Sequence, residues 1–230
     1  MSTPALQLWP LMRRVEKTAW NAIVKCTRAQ KLSALPLPIP VEQWVEGPLG
    51  IQLSIADLTH LGPGVLGVAR PAEREIEVSE GLLTYEPRLR FTIAHELGHV
   101  LLHGRLSTDF RDSADADFME RKVEREADRF AASFLMPLPA LCSELASVAT
   151  TLWSDPQSLL LAVGRGDIPA ERIFRTKVLP HLTRRFNVSL SATVRRFNDI
   201  QLPNGERALP LEVGVKFLPT DEIREATRRA

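Results

Sequence analysis

Residues 91–103 read FTIAHELGHVLLH, and within them His95-Glu96-Leu97-Gly98-His99 forms an H-E-x-x-H motif. On a helix, residues four apart share one face, one turn above each other. Two imidazoles placed in this way can grip one zinc ion from the same side. Glu96 then sits beside the ion without having to ligate it, where a general base for water belongs. Phe91, Ile93, Ala94, Leu97, Val100, Leu101 and Leu102 make the run apolar and compatible with a buried helix. A plain core helix is the competing reading. It would have to bury a carboxylate, which is expensive without partners.

Composition narrows the surroundings of this motif. A chain of 230 residues suits one large domain, or one domain with a small appendage, and can bury a real core. Its net charge of +1 gives no global pull toward nucleic acid or an anionic membrane. Cys26 and Cys142 lie far apart and in no C-x-x-C pair, which excludes a cysteine zinc site and fits a reducing cytosol. The apolar residues near the N-terminus are broken by Pro4, Pro10, Arg13 and Arg14, unlike a signal peptide. No apolar run reaches the roughly 18 residues of a membrane span. The expectation is a cytoplasmic protein with no membrane partner.

Along the chain, 11–31 carries Val15, Ala19, Ala22, Ile23 and Cys26 at helical spacing, so an amphipathic helix is expected there. The prolines of 35–40 enforce an extended connector, and 41–45 reads as a short helix. Residues 51–55, 65–69 and 75–78 read as strands, the last two joined by a turn at 70–74. Ile76 and Val78 share one face of the third strand, and Glu75 and Glu77 the other. Charges of that kind mark an edge strand, where a peptide could add. A solvated sheet face explains them equally well.

Residues 105–114 are loop-like, and 115–136 is helical again, with Val123, Ala127, Phe130, Ala131, Phe134 and Leu135 as its apolar stripe. This helix bears on the metal, because H-E-x-x-H supplies two ligands and catalytic zinc usually takes three plus water. Cysteine is excluded and no further H-x-x-G-x-x-H follows, so a carboxylate from Glu120, Glu124, Glu126 or Asp128 is expected. Glu124 and Glu126 flank the stripe on opposite sides at about 100° per residue, so periodicity does not choose between them. Glu124 with Asp128 also makes the E-x-x-x-D spacing of thermolysin-like zinc enzymes.

RFTIAHELGHVLLH at 90–103, followed by EREADRFAASFLMP at 124–137, resembles the ImmA/IrrE family of intracellular metallopeptidases. The resemblance covers about residues 38–137. It implies a metal on the two motif histidines and on the glutamate opening an E-A-x-x-F-A segment, here Glu126-Ala127-Asp128-Arg129-Phe130-Ala131. That makes Glu126 the expected third ligand with Glu124 as the alternative, one Zn2+ per chain, and Glu96 as general base. It also implies a protein substrate, a helix-turn-helix repressor encoded nearby.

Three further residues have competing readings. His103 could orient a ligand or polarise a substrate carbonyl, or cap its helix near Gly104. Tyr85, the only tyrosine, could stabilise an oxyanion or simply pack. Arg88 and Arg90 could meet the acidic helix or a substrate, or lie on a solvated surface.

Beyond 137 the reading is helical, with Leu141, Leu145, Val148 and Leu152 in rhythm and a further helix at 159–163. Residues 165–199 hold eight Arg or Lys against three acids. Within them 181–200 reads as helix, turn at 186–188, Ser189 as N-cap, and helix, resembling the helix-turn-helix-like segment that follows the peptidase part of many family members. Such a pair can dock DNA, but so modest an excess of positive charge favours packing or protein contact. A turn at 203–205, a strand within 211–218 and a charged tail at 221–230 complete the chain. The whole predicts an α+β fold. A mostly helical zincin-like peptidase domain with a small antiparallel sheet spans 1–137, and a helical region follows at 138–230.

Overall fold

The computed structural model describes residues 14–104, 114–200 and 207–218. The loop expected at 105–114 up to residue 113, the turn at 203–205 and the tail at 221–230 lie outside the described residues. The chain divides into two compact units, one ending at Pro137 and one running from Leu138.

In the first unit, helix α1 (Arg14–Ala29) buries Val15, Ala19, Ala22, Ile23 and Cys26, the stripe that its spacing foretells. It packs on the two site helices, α3 (Glu86–His103) and α4 (Ala114–Leu135). The proline connector leads into α2 (Val41–Glu46). Trp44 of α2 meets the Phe134 ring edge-on at 6.1 Å, and Phe134 stacks on Phe130 at 5.8 Å. Arg90 is buried and donates through Nη2 to the Ile39 carbonyl at 2.7 Å. It therefore clamps the connector onto α3 and is not available to a substrate, whereas Arg88 lies exposed on the surface.

The sheet has strands β1 (Gln52–Ala56), β2 (Gly67–Arg70) and β3 (Glu75–Ser79) in the order β1-β3-β2. It is mixed. The β2–β3 hairpin is antiparallel, as expected, but β1 joins β3 in parallel, with Leu53 opposite Ile76. The edge-strand expectation for 75–78 fails, because β3 is the central strand. Its glutamates are partnered rather than left to face solvent: Arg70 donates to Glu75 at 3.2 Å and to Glu77 at 3.0 Å. Ile76 and Val78 point the other way into the core. Among the described residues, β2 is the edge next to α3.

Helices α3 and α4 make the most extensive pairing in this unit, and a glycine permits it. A Cβ at Gly98 would stand 3.2 Å from both Ala127 Cα and Phe130 Cβ, so the helices approach closely at the level of the histidine motif.

The second unit is helical: α5 (Leu138–Leu152), α6 (Pro156–Gly164), α7 (Ile168–Ile173), α8 (Leu179–Phe186), α9 (Leu190–Asp199) and α10 (Leu211–Gly214). A π-helical turn, Phe174–Val178, joins α7 to α8 where Pro180 has no N–H to continue an α-helical ladder. Phe174 anchors the core against Phe197 at 5.3 Å and Phe217 at 5.2 Å. The α8–α9 pair lies where the sequence places it. Asn187 takes the left-handed conformation that ends α8, and Ser189 caps α9 by accepting from the Ala192 N–H at 3.1 Å.

The strand expected within 211–218 is helical instead. Val213 and Phe217 lie four residues apart and are both buried, so packing, not β propensity, sets the local period. Among the described residues, no single helix is long and apolar enough to cross a membrane.

The Glu144 carboxylate ties α5 to α8, accepting from His181 Nε2 at 2.9 Å and Arg185 Nε at 2.8 Å. Burial pushes its carboxyl pKa up, but Arg185 and His181 outweigh this and hold it below the usual range. A lowered folded-state pKa stabilises above the unfolded value of about 4.3 and is lost as pH falls through the folded one. Glu144→Gln should therefore cost about 1–2 kcal/mol at pH 7, and the gap from wild type in urea midpoint should close as pH falls from about 5 to 3. A gap that stays constant over that range would refute the assignment.

Candidate metal centre

α3 places His95, His99 and His103 in one line, with ring centroids 4.8 and 5.2 Å apart. His95 and His99 turn their Nε2 atoms toward each other, 3.0 Å apart. The Glu124 carboxylate of α4 straddles that gap, Oε2 lying 3.2 Å from His95 Nε2 and Oε1 3.3 Å from His99 Nε2. These three residues form the group among the described residues whose donor atoms converge closely enough for a metal ion.

The donor set fits zinc. Zinc takes imidazole nitrogen and carboxylate oxygen in a tetrahedron, and bonds of about 2.0–2.1 Å imply donor–donor edges of about 3.3 Å. The two Nε2 atoms, 3.0 Å apart, lie close to that edge, and each has its own oxygen of the Glu124 carboxylate at 3.2–3.3 Å, so a small rotation of that carboxylate places one oxygen as the third donor. Two facing imidazole nitrogens with a carboxylate across them also call for a positive charge between. Burial alone would lower the His95 pKa, but Asp128 and Glu124 at its two nitrogens drive it up to about 10. Contacts with His95 and His99 hold the Glu124 carboxyl far below the usual range, against its partial burial. The Glu124 side chain is 52% exposed, so the site opens to solvent on that side, as a catalytic site must and a closed structural site need not.

Glu96 is 7% exposed, and burial raises its carboxyl pKa despite the nearby histidines. The Ala69 N–H of β2 donates to it. Strand β2 runs so close that a Cβ at Gly67 would stand 2.6 Å from Glu96 Oε1. Gly67 and Ala69 therefore form the wall that holds the carboxylate. Neither was singled out from the sequence, although a glycine inside a strand pattern signals close approach of another group.

The two third-ligand candidates part company. The structure brings Glu124, not Glu126, to the histidine pair. Glu126 meets His103 Nε2 at 3.2 Å and accepts from Arg14 Nη2 of α1 at 2.9 Å. The reason is helical: two residues turn α4 by about 200°, so when Glu124 faces the pair Glu126 flanks the stripe on its other side. Asp128, one turn on from Glu124, shares its side and lies 2.9 Å from His95 Nδ1, which orients the ring without ligation.

His103 does not cap its helix. Its ring is buried between His99 and Glu126. Tyr85 is not brought to the site. It precedes the first turn of α3, half exposed, about 15 Å along the axis from His95 at 1.5 Å per residue. Glu120 has no place in the converging group.

Two imidazoles, a carboxylate from a second helix, a buried glutamate alongside and an open face define a zincin-type centre. The family model of M78 peptidases, described as the IrrE N-terminal-like domain, matches residues 83–198, and the chain belongs to that metallopeptidase family. The radiation response metalloprotease IrrE of Deinococcus radiodurans is 38% identical over 60 residues, which cover 25% of this chain and 18% of that protein. A solved Mycobacterium tuberculosis transcriptional regulator is 18% identical with a TM-score of 0.47, over 82% of this chain and 48% of that one. The chain thus spans well under two thirds of either protein.

Proposed function

We propose that the protein is a zinc-dependent endopeptidase of the cytoplasm, with the ion on His95, His99 and Glu124. The observation that carries this reading is the convergence of those three donors with Glu96 held beside them by β2. A zinc ion there would supply Lewis-acid polarisation of a water and of the scissile carbonyl. The chain's own residues do the rest. Strand β2 is an edge strand whose Ala69 N–H already holds Glu96, and an extended peptide adding along the rest of that edge would bring its carbonyl past Glu96. Glu96 accepts the proton of the attacking water on its carboxylate and delivers it to the leaving amine. Burial supports that role, because it raises the carboxyl pKa and so makes the carboxylate a better proton acceptor than one in water.

The proposed substrate is an intracellular regulatory protein, a helix-turn-helix repressor encoded next to this gene. The rival is a non-catalytic module that binds DNA or a repressor. Helix α9 argues against DNA as its target. It buries Arg196, 2% exposed, along with Ala192, Thr193, Val194 and Phe197, and leaves Arg195 as its one exposed cation, little with which to hold a phosphate backbone. Arg175 and Arg185, too, are engaged within their own unit.

The test is incubation of the zinc-loaded protein with that repressor, with the products read by mass spectrometry. Cleavage at one or a few bonds, stopped by a chelator and restored by zinc, is the expected result. An intact repressor in the presence of zinc-loaded protein, released from its operator all the same, would establish the binding module instead.

A further inference from the structure

Helix α3 presents three histidines in a row, but the metal reading uses two. The third, His103, is buried, and both its ring nitrogens are engaged. Nδ1 lies 3.2 Å from His99 Nδ1, and Nε2 lies 3.2 Å from Glu126 Oε2, which also accepts from Arg14 Nη2 at 2.9 Å. An imidazole carries one proton when neutral, so each contact constrains the next.

The chain has only one consistent direction once His99 Nε2 is a metal donor. That nitrogen must then be bare, so the His99 proton sits on Nδ1 and points at His103. His103 must accept it on a bare Nδ1, which puts its own proton on Nε2. That proton is donated to Glu126, an acceptor-only carboxylate that Arg14 fixes from the far side. His95 is served more simply, by Asp128 directly on Nδ1. Each histidine is therefore backed by a carboxylate of α4, His95 at first hand and His99 through His103.

We infer that His103, anchored by Glu126, is a positioning residue that locks His99 in the tautomer and ring orientation needed to ligate the metal. The inference rests on the metal reading proposed above. It gives Glu126 a purpose at the centre without ligation. It also leaves Arg14 a lesser one, since its side chain is 67% exposed and an ion pair in water contributes little.

The experiment measures zinc affinity of the full chain by competition with a chromogenic chelator. Polar groups that back a zinc-bound histidine are typically worth about 10–100-fold in affinity. His103→Phe keeps a ring but offers no acceptor and should weaken zinc by that factor. His103→Asn places an oxygen near the position of Nδ1 and should stay within a few-fold of wild type. A purely structural role for the ring predicts the opposite ranking, and unchanged affinity in His103→Phe would overturn the proposal.

Should His103→Phe fail to fold, nitrogen NMR of the zinc-loaded wild type decides. His103 protonated on Nε2 and bare on Nδ1 is the expected state, and a proton on His103 Nδ1 overturns it. Glu124→Ala separates this from the underlying reading. If it holds zinc like wild type the metal site itself is wrong, whereas if it loses zinc and His103→Phe does not, only the role of His103 falls.

Discussion

Glu96→Gln should bind zinc and substrate like the wild type and cleave about 10²–10⁴-fold more slowly. The substitution keeps size and shape. Its amide oxygen can still accept from the Ala69 N–H, and Gly67 still leaves room for it. What is lost is the ability to take the proton of the attacking water and return it to the amine. The sign of the effect on stability is a second, independent readout. Burial disfavours the charged form of Glu96 in the folded chain, so at neutral pH the carboxylate works against folding. The neutral amide removes that cost, and the thermal midpoint of metal-free Glu96→Gln should equal or exceed that of the wild type. Loss of activity with a raised midpoint is the signature of a residue kept for chemistry. A variant that cleaves at the wild-type rate with zinc in place would disprove the role of Glu96.

The same contrast between chemistry and packing explains what the sequence reveals of this molecule. The H-E-x-x-H helix is legible because its period and its apolar flanks agree, and they agree because α3 is buried on nearly all sides. The α4 stripe of Val123, Ala127, Phe130 and Phe134 is legible for the same reason. What lies beside a stripe is not. Glu124 and Glu126 are equivalent by period, and only the side on which α4 leans against α3 distinguishes them. Alternation likewise marks 75–78 as a strand but not its place in the sheet, which is set by β1 pairing along it in parallel from 23 residues upstream, Gln52 opposite Glu75. Sequence leaves His103 between orienting a ligand, polarising a carbonyl and capping its helix, because no pattern shows an acceptor 23 residues away. Arg14 on α1 is further still from its partner Glu126, 112 residues along the chain. Elements follow from local period, whereas the polar contacts that build the centre come from tertiary neighbours.

Glu124→Ala should release zinc, and Glu126→Ala should only loosen it. Removing Glu124 deletes one of three donors and leaves two facing imidazole nitrogens without the carboxylate that neutralises the charge between them. A structural zinc site supplies on the order of 10–16 kcal/mol. Losing about a third of that corresponds to about 10²–10⁴-fold in affinity, since every 1.4 kcal/mol is tenfold. Glu126 touches neither motif histidine, and its removal acts only through His103, so the loss should stay within about 10–100-fold. The two alanines also differ in stability. Glu126→Ala breaks the Arg14 link between α4 and α1, but that pair is largely solvated and should contribute under about 1 kcal/mol. Titrating both variants with zinc against a common chelator gives the order directly. If Glu126→Ala proves the weaker binder, the E-A-x-x-F-A glutamate is the ligand after all and α4 must rotate on loading. If Glu124→Ala does, the E-x-x-x-D pair of Glu124 and Asp128 serves the centre, one residue ligating and the other orienting His95.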